Sequence, residues 1–141
     1  MIISRTHDQS LIREFVSSSG DSLKHFRYFD SRPVEKIGEH LVTLVGTDGN
    51  KVVAYGHLDP EGGKTWLGVC IIEGWRGKGL GRQIVSALLK VADEGGITIT
   101  LTVDEDNQAG KHLYESFGFR LACQSGRTLF YERSPKECKH G

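Results

Sequence analysis

The residues best suited to chemistry lie in a glycine-rich segment, Glu73-Gly-Trp-Arg-Gly-Lys-Gly-Leu-Gly81. Seven of the 18 glycines of this 141-residue chain fall between positions 62 and 81. Arg76, Lys78 and Arg82 add three positive charges within seven residues. Glycine lets a backbone approach a ligand closely, and the first-turn N–H groups of a following helix favour an anion. The segment therefore predicts a site for a phosphorylated ligand.

Two familiar phosphate loops fit this region poorly. A mononucleotide loop needs a glycine five residues before Gly63-Lys-Thr65, and that position is Leu58. A dinucleotide loop has the spacing G-x-G-x-x-G, whereas Gly77, Gly79 and Gly81 are spaced G-x-G-x-G. The chain is also too short for the repeated βαβ units that a dinucleotide loop serves. A different class of phosphorylated ligand is indicated.

The elements on either side of the segment would hold it in place. The run over 65–72 is typical of a buried strand, and the following helix has apolar residues at 80, 84, 85, 88, 89 and 92 on one stripe. A strictly alternating strand is predicted over 97–103, and a short helix over 109–117. A glycine-rich stretch between a buried strand and an amphipathic helix is disfavoured as a flexible linker.

The rest of the chain reads as one domain over 1–141, with a loose polar tail over 134–141. A turn is predicted at Asp59-Pro60-Glu-Gly-Gly63, and Asp48-Gly49 indicates an antiparallel hairpin. The remaining predicted elements are helices over 8–19 and 21–28 and strands over 40–45, 51–56, 121–123 and 128–131.

Two motifs resemble those of the GCN5-related N-acetyltransferases. Arg76-Gly-Lys-Gly79-Leu-Gly81 matches R/Q-x-x-G-x-G/A, the loop with which that family holds the pyrophosphate of acetyl-CoA. The segment from Asn107 to Phe119 resembles N-x-x-A-x-x-L-Y-x-x-x-G-F, with Ala109 and Gly110 slightly shifted at the Ala position. Each motif follows a predicted strand and opens a predicted helix, and the resemblance covers nearly the whole chain.

The resemblance implies an α/β (α+β) fold with acetyl-CoA as the acyl-donor cosubstrate. The expected sheet is mixed, mostly antiparallel and twisted, with six to seven strands, about four flanking helices and a splayed central strand pair. Pantetheine would lie in the gap between the splayed strands, and the glycine-rich loop would wrap the pyrophosphate. The implied cofactor-binding residues are Val69, Cys70, Ile71, Arg76, Gly77, Lys78, Gly79, Leu80, Gly81, Arg82 and Asn107.

The resemblance also implies direct attack of an amine on the thioester. Tyr114 occupies the position of the family's general acid, and the alternative is that it only packs on its helix. Members that act on protein N-termini often carry a Glu five residues before the Asn, whereas this chain has Thr102 there. The remaining candidates for a general base are Glu73, His57, Asp104 and Glu105, of which His57 is preferred.

The lack of a mid-strand carboxylate favours an acceptor amine of low pKa. A lysine-like amine is only about 0.04% neutral at pH 7, whereas an α-amine is about 14% neutral. An amino sugar or an α-amino group therefore suits the site better than a lysine side chain. The expected acceptor site includes Phe26, Tyr28 and Arg32, which offer stacking faces and a positive charge, although Phe26 and Phe29 could equally be core residues.

Composition excludes several other classes. The net charge is zero, which disfavours a nucleic-acid binder, and the sequence has no run apolar enough to span a membrane. Three scattered cysteines and the histidine spacing indicate a reducing cytoplasm and no metal site. The expected partner is a small-molecule amine or a peptide α-amine, and the family resemblance allows a homodimer. A non-catalytic acyl-CoA-binding or regulatory module is the alternative, and a nucleotide-binding domain is a weaker one.

Overall fold

A seven-stranded mixed sheet organises the chain. The computed structural model describes residues 1–18 and 26–136. The strands are β1 (Ile2–Arg5), β2 (Val42–Asp48), β3 (Lys51–Glu61), β4 (Lys64–Ile71), β5 (Ile99–Asp104), β6 (Arg120–Ser125) and β7 (Thr128–Arg133). The helices are α1 (Gln9–Ser18), α2 (Leu80–Glu94) and α3 (Gln108–Ser116), with 3-10 helices at Tyr28–Asp30 and Val34–Glu39. The strand order is β1-β2-β3-β4-β5-β7-β6, and the expected fold class is confirmed.

Two neighbouring strands in the middle of this sheet separate along their length. β4 and β5 are parallel, whereas the other neighbouring strands pair antiparallel. Their pairing consists of Thr65 with Ile99 and Trp66 with Thr100. Beyond Trp66, the side of β4 that faces β5 pairs with no strand in the described parts of the chain. The central pair is therefore splayed, as expected.

Hydrophobic residues cover both faces of the sheet. The predicted stripe of α2 is correct, because Leu80, Ile84, Val85, Leu88, Leu89 and Ala92 are its buried residues. Gly56 on β3 allows this helix to pack closely, since a Cβ there would lie 2.4 Å from Ile84 Cγ2. Successive strand residues point to opposite faces. Ala54 and Leu58 accordingly share the α2 core, whereas Val53 and Tyr55 share the opposite core with Ile12 and Phe15 of α1.

The predicted turn at Asp59–Gly63 is wrong over its first half. β3 continues to Glu61, and the turn is formed by Gly62 and Gly63 alone. Pro60 is tolerated in the strand, where it lies opposite Thr65. Asp59 is consequently a buried strand residue and not a solvated loop residue.

The N-terminal region also differs in part from its prediction. Asp8 caps α1, since its Oδ1 accepts hydrogen bonds from the N–H groups of Ser10 and Leu11 at 3.0 and 3.3 Å. β1 and the 3-10 helix at Val34–Glu39 were not predicted. Most of the predicted 21–28 helix lies outside the described residues, and Tyr28 begins a 3-10 helix instead.

The end of the chain is described as far as Lys136, whose N–H donates to Asp93 Oδ1 at 3.0 Å. Residues 137–141 of the predicted tail lie outside the described part. None of the described helices is long and apolar enough to cross a membrane.

Candidate active site

Two adjoining pockets open where β4 and β5 separate. The first, here called the loop pocket, has a volume of about 380 Å³. It is lined by Phe26, Val69, Cys70, Ile71, Trp75, Arg76, Gly77, Gly79, Leu80, Gly81, Arg82, Thr102, Val103, Asn107, Ala109, Gly110, Leu113 and Tyr114. The second, here called the aromatic pocket, has a volume of about 230 Å³. It is lined by Phe26, Arg27, Tyr28, Arg32, His57, Asp59, Glu61, Trp66, Leu67, Gly68, Val69, Thr102, Asp104 and Tyr114.

The glycine-rich loop brings the N-terminus of α2 to the loop pocket. Gly77 and Gly79 adopt φ values of 76° and 79°, which residues other than glycine rarely adopt. Gly79 is the N-cap residue of α2, and no side-chain cap hydrogen bond forms there. The first N–H groups of the helix therefore retain donor capacity beside the pocket, where the helix dipole favours an anion.

The three cationic side chains of the loop, Arg76, Lys78 and Arg82, make different contacts. Arg76 Nε donates to the carbonyl of Ile71 at 3.2 Å, which ties the loop to the end of β4. Arg82 stacks over the ring of Phe117 at 5.2 Å, and Lys78 lies 5.2 Å from the ring centre of Trp75. Arg76 and Arg82 line the pocket, whereas Lys78 does not.

β4 supplies the wall of the loop pocket through Val69, Cys70 and Ile71. The backbone of this segment borders the gap left by β5, so a ligand in the gap can reach the main-chain N–H and C=O groups on that side. Burial raises the pKa of the Cys70 thiol to about 12. Cys70 is therefore a neutral thiol at pH 7 and a poor nucleophile.

Asn107 and Tyr114 lie at the two ends of α3 and both line the loop pocket. Asn107 caps the helix, since its Oδ1 accepts a hydrogen bond from Gly110 N–H at 3.0 Å. This cap accounts for the glycine in the second motif, because a Cβ on Gly110 would lie 2.6 Å from Asn107 Nδ2. Burial, with a smaller contribution from Cys70, raises the pKa of Tyr114 to about 12. The phenol is therefore neutral and able to donate a proton.

The two pockets meet at the residues that line both of them. These are Phe26, Val69, Thr102 and Tyr114. Thr102 occupies the mid-strand position on β5 where the sequence lacks a carboxylate. A molecule in the loop pocket and a second molecule in the aromatic pocket would face each other at this junction.

His57 is among the residues that line the aromatic pocket and is almost completely buried. Its Nδ1 shares a hydrogen bond of 2.6 Å with the Tyr55 hydroxyl. The ring lies close to Gly68 of β4, where an added Cβ would be 2.5 Å from its Nε2. Burial lowers the pKa of His57 well below 6.5, and His40, Arg32 and Lys36 add to this effect. The imidazole is therefore neutral at pH 7.

A chain of buried and partly buried hydrogen bonds runs beside His57. Thr43 Oγ1 lies 2.8 Å from His40 Nδ1, and His40 Nε2 lies 2.7 Å from the Tyr28 hydroxyl. That hydroxyl donates to Asp59 Oδ2 at 2.7 Å, and Lys36 Nζ donates to Asp59 Oδ1 at 3.0 Å. Burial and the hydrogen bond to Asp59 raise the pKa of Tyr28, while burial lowers that of His40 to about 4.

Asp59 and Glu61 are pocket residues that the sequence reasoning missed. Tyr55, His57, Asp59 and Glu61 are spaced two apart on one face of β3, and this alternation was the available signal. The predicted turn at Pro60 concealed it. Glu73 and Glu105, two of the candidate bases, are exposed and line neither pocket, whereas Asp104 lines the aromatic pocket.

Two guanidinium–carboxylate pairs border the aromatic pocket. Arg27 binds Asp104 through two hydrogen bonds, of 2.6 and 2.9 Å. Arg32 binds Glu61 through two hydrogen bonds of 3.1 Å and stacks over the Tyr28 ring at 4.6 Å. The hydrogen bond from Arg32 lowers the pKa of Glu61 to about 2. No group of three or more potential metal ligands occurs among residues 1–18 and 26–136.

Each predicted acceptor-site residue lines the aromatic pocket, although two of them also pack. Phe26 is largely buried and lies 5.5 Å from the Tyr55 ring, so it serves both the core and the pocket wall. Tyr28 packs at 4.2 Å from the His57 ring. Trp66 lines the pocket as well and donates from Nε1 to the Glu61 carbonyl at 3.0 Å.

Several solved structures share this fold. A protein from Streptococcus mutans, smu.2055, superposes with a TM-score of 0.77 at 20% identity, covering 95% of this chain and 99% of that one. The putative acetyltransferase yncA from Salmonella typhimurium, solved with acetyl-CoA, gives 0.76 at 19% identity over 100% and 97%. The ribosomal-protein-S18-alanine N-acetyltransferase from Escherichia coli gives 0.70 at 18% identity over 99% and 97%.

Sequence comparison identifies the family. No curated protein matches the chain at a significant level. The model of the acetyltransferase (GNAT) family matches residues 9–119, which include α1, the glycine-rich loop and both ends of α3. The chain therefore belongs to the GNAT acetyltransferase family.

Proposed function

We propose that this protein transfers an acetyl group from acetyl-CoA to a primary amine by direct attack. The observation that carries the proposal is the meeting of the two pockets at Tyr114 and Thr102. One pocket has the features of a phosphate-binding loop, and the other has a neutral imidazole in its lining. A donor and an acceptor placed in these pockets would react without a covalent enzyme intermediate, for which the neutral Cys70 thiol is unsuited.

Acetyl-CoA would occupy the loop pocket. Its pyrophosphate would bind the N–H groups of Gly77 to Arg82, with Arg76 and Arg82 adding charge. Its pantetheine would lie along Val69, Cys70 and Ile71, where β4 diverges from β5. The yncA structure with acetyl-CoA supports this assignment at the level of the fold.

The reaction would proceed in one displacement. The amine nitrogen forms a bond to the thioester carbonyl carbon, and a backbone N–H near Cys70 or Ile71 stabilises the oxyanion. The C–S bond then breaks, and the leaving thiolate takes the proton of the Tyr114 phenol. The proton lost by the amine goes to His57 Nε2, and from there to solvent, which returns one to Tyr114. The products are an N-acetylated amine and free CoA.

His57 can accept a proton only in one tautomer. Its Nδ1–H must donate to the Tyr55 oxygen, so that Nε2 carries the lone pair that accepts the proton. Burial and the charges of Arg32 and Lys36 oppose a lasting imidazolium. The site therefore suits an amine that is already partly neutral, such as an amino sugar or an α-amine, better than a lysine side chain.

Two further expectations accompany this function. A cytoplasmic location is a prediction from the three scattered cysteines of the sequence. A homodimer remains a prediction of the family resemblance.

The test is Tyr114→Phe, assayed by thiol release from acetyl-CoA with amino sugars, α-amines, polyamines and lysyl peptides. We expect kcat to fall about 100- to 1,000-fold, because a general acid contributes about that much. The Kd of CoA should change less than about threefold, since the ring and its packing remain. Tyr131→Phe, at a buried tyrosine that lines neither pocket, is the matched control. CoA binding without turnover of any amine by the unaltered protein would instead indicate a non-catalytic acyl-CoA-binding module.

A further inference from the structure

The Arg27–Asp104 pair joins two distant parts of the chain across the aromatic pocket. The residues are 77 positions apart, and both hydrogen bonds are short, at 2.6 and 2.9 Å. Both residues line the pocket. Asp104 follows Thr102 on the same face of β5, two residues from the junction with the loop pocket. A guanidinium and a carboxylate therefore stand side by side next to the place where an acceptor amine would react.

The second ion pair of the pocket is held in a different way. Arg32 uses Nε and Nη2 on Glu61 and Nη1 on the carbonyl of Tyr28 at 3.3 Å. Its guanidinium also stacks over the Tyr28 ring. The Arg32 side chain is 33% exposed, whereas that of Arg27 is 56% exposed and its partner Asp104 only 17%. Arg32 is thus built into the wall, while Arg27 lies at the open side of the pocket, over a sheltered carboxylate.

We propose that the acceptor is a compact zwitterion of the α-amino acid class, whose carboxylate binds Arg27 while its ammonium group binds Asp104. This inference rests on the proposed function and specifies its substrate; the α-ammonium group of a free amino acid is more basic than the amines favoured above, so recognition of both charges, and not a low amine pKa, would select it. A ligand with a single charge would pair with one of the two residues and draw it away from the other, and the sheltered Asp104 carboxylate would lose its bonds to Arg27 if a carboxylate ligand took them. A zwitterion gives each of the two residues a new partner of opposite charge, since its carboxylate pairs with Arg27 and its ammonium group with Asp104.

The size of the pocket agrees with this class of acceptor. Its volume of about 230 Å³ lies below the range of about 300–1,000 Å³ that is usual for ligand pockets. Phe26, Tyr28 and Trp66 provide aromatic surface for the remainder of a small molecule. Once bound, the acceptor loses a proton to His57 and attacks the thioester as in the proposed function.

The experiment compares matched acceptors in the thiol-release assay. Alanine and phenylalanine are each tested against the corresponding amino acid amide and against the decarboxylated amine. Glucosamine is included as an amine that has no carboxylate. We expect kcat/KM for the amino acids to exceed that for their amides by at least tenfold. The amide has the less basic amine, so a preference set by amine pKa alone would run in the opposite direction.

Variants then locate the preference. Arg27→Gln should lower kcat/KM for the amino acids at least tenfold, leave the amides within threefold and leave CoA binding unchanged. Arg27→Lys should restore part of the loss, because the charge returns without the two-point geometry. Arg13→Gln, which breaks an exposed pair with Glu35 outside both pockets, is the control and should change neither value.

Each outcome decides the inference. Amides or glucosamine used as well as the amino acids would overturn the zwitterion while leaving the acetyltransferase proposal intact. An equal loss for amino acids and amides in Arg27→Gln would show that Arg27 is only structural, and would also overturn it. Absence of thiol release with every amine would remove the proposed function together with the inference.

Discussion

The loop pocket offers mainly main-chain groups to a ligand, whereas the aromatic pocket offers side chains that are already hydrogen-bonded to each other. The loop pocket takes most of its lining from two short segments, 69–82 and 107–114, and offers backbone groups at a helix end and along a strand that diverges from its neighbour. The aromatic pocket draws on residues from 26 to 114 and offers side chains already bonded to each other, in pairs 77 and 29 positions apart. A ligand of the first pocket adds new bonds to the main chain, whereas a ligand of the second must exchange existing ones.

The largest effect that separates the pockets should come from Gly68→Ala. The new Cβ would lie 2.5 Å from His57 Nε2 and 2.7 Å from its Cε1, so the imidazole must move. We expect kcat to fall about 100-fold, since this removes a positioned base, while the Kd of acetyl-CoA changes less than about threefold. Steady-state kinetics and calorimetric titration measure the two quantities.

Gly56→Ala is the matched control for that experiment. Its Cβ would lie 2.4 Å from Ile84 Cγ2, on the opposite face of the sheet. Overpacking there should lower the free energy of unfolding by about 1–3 kcal/mol and leave kcat of the folded protein unchanged. If Gly68→Ala weakened acetyl-CoA binding as much as it slowed turnover, the two pockets would not be separable.

A smaller effect, on the loop pocket alone, should follow Gly79→Ala. Its φ of 79° is unfavourable for alanine by roughly 1–2 kcal/mol, and the N-terminus of α2 would relax from its present orientation. We expect acetyl-CoA to bind about tenfold more weakly, as equilibrium titration would measure.

Gly49→Ala separates that effect from backbone strain. Gly49 has a φ of 60° in the β2–β3 turn. At both Gly49 and Gly79, an added Cβ would have no neighbouring atom within 4 Å. The control should lose similar stability and keep full affinity for acetyl-CoA. Equal loss of affinity in both variants would refute a direct role for the loop.

The smallest expected effect is a pH dependence of stability that arises in the aromatic pocket and its surroundings. Burial holds the pKa of His40 at about 4, against about 6.5 when unfolded, although Asp59 opposes the shift and Lys36 adds to it. The unfolded chain therefore takes up a proton first as the pH falls. His40 alone should make the free energy of unfolding about 1 kcal/mol lower at pH 5.5 than at pH 7.5.

Urea denaturation at the two pH values measures this difference. His40→Gln should reduce it, and His57 should account for part of the remainder because its pKa is lowered in the same direction. His112→Gln, at an exposed histidine on α3, should leave it unchanged. A difference that survives in His40→Gln without reduction would place its origin elsewhere.

The loop pocket could be predicted because its information is local. Glycine spacing, the neighbouring charges and the apolar stripe of α2 are all contained in about twenty consecutive residues. The splayed strand pair and the role of Tyr114, in contrast, came from the family resemblance, since no spacing rule describes how two strands diverge.

The aromatic pocket was only partly predictable. Phe26, Tyr28, Arg32 and His57 were identified by residue type, but no local pattern pairs Arg27 with Asp104 across the sheet. Asp59 was missed because Pro60 and the following glycines favour a turn, while pairing with β4 keeps the segment extended. β1 was missed because its four residues are mostly exposed and have a partner only once β2 has folded.

The side of β4 that borders the gap has a consequence for how such a protein can change over time. Main-chain N–H and C=O groups are the same for every residue except proline, so substitutions at Val69, Cys70 or Ile71 alter the side chains and preserve the bonding groups. Changes of sequence along this part of β4 can therefore leave these main-chain groups in place. Solved structures with 16–22% identity nevertheless share the fold. Main-chain groups stay in place wherever the fold is kept, whereas ion pairs such as those of the aromatic pocket depend on which side chains are present.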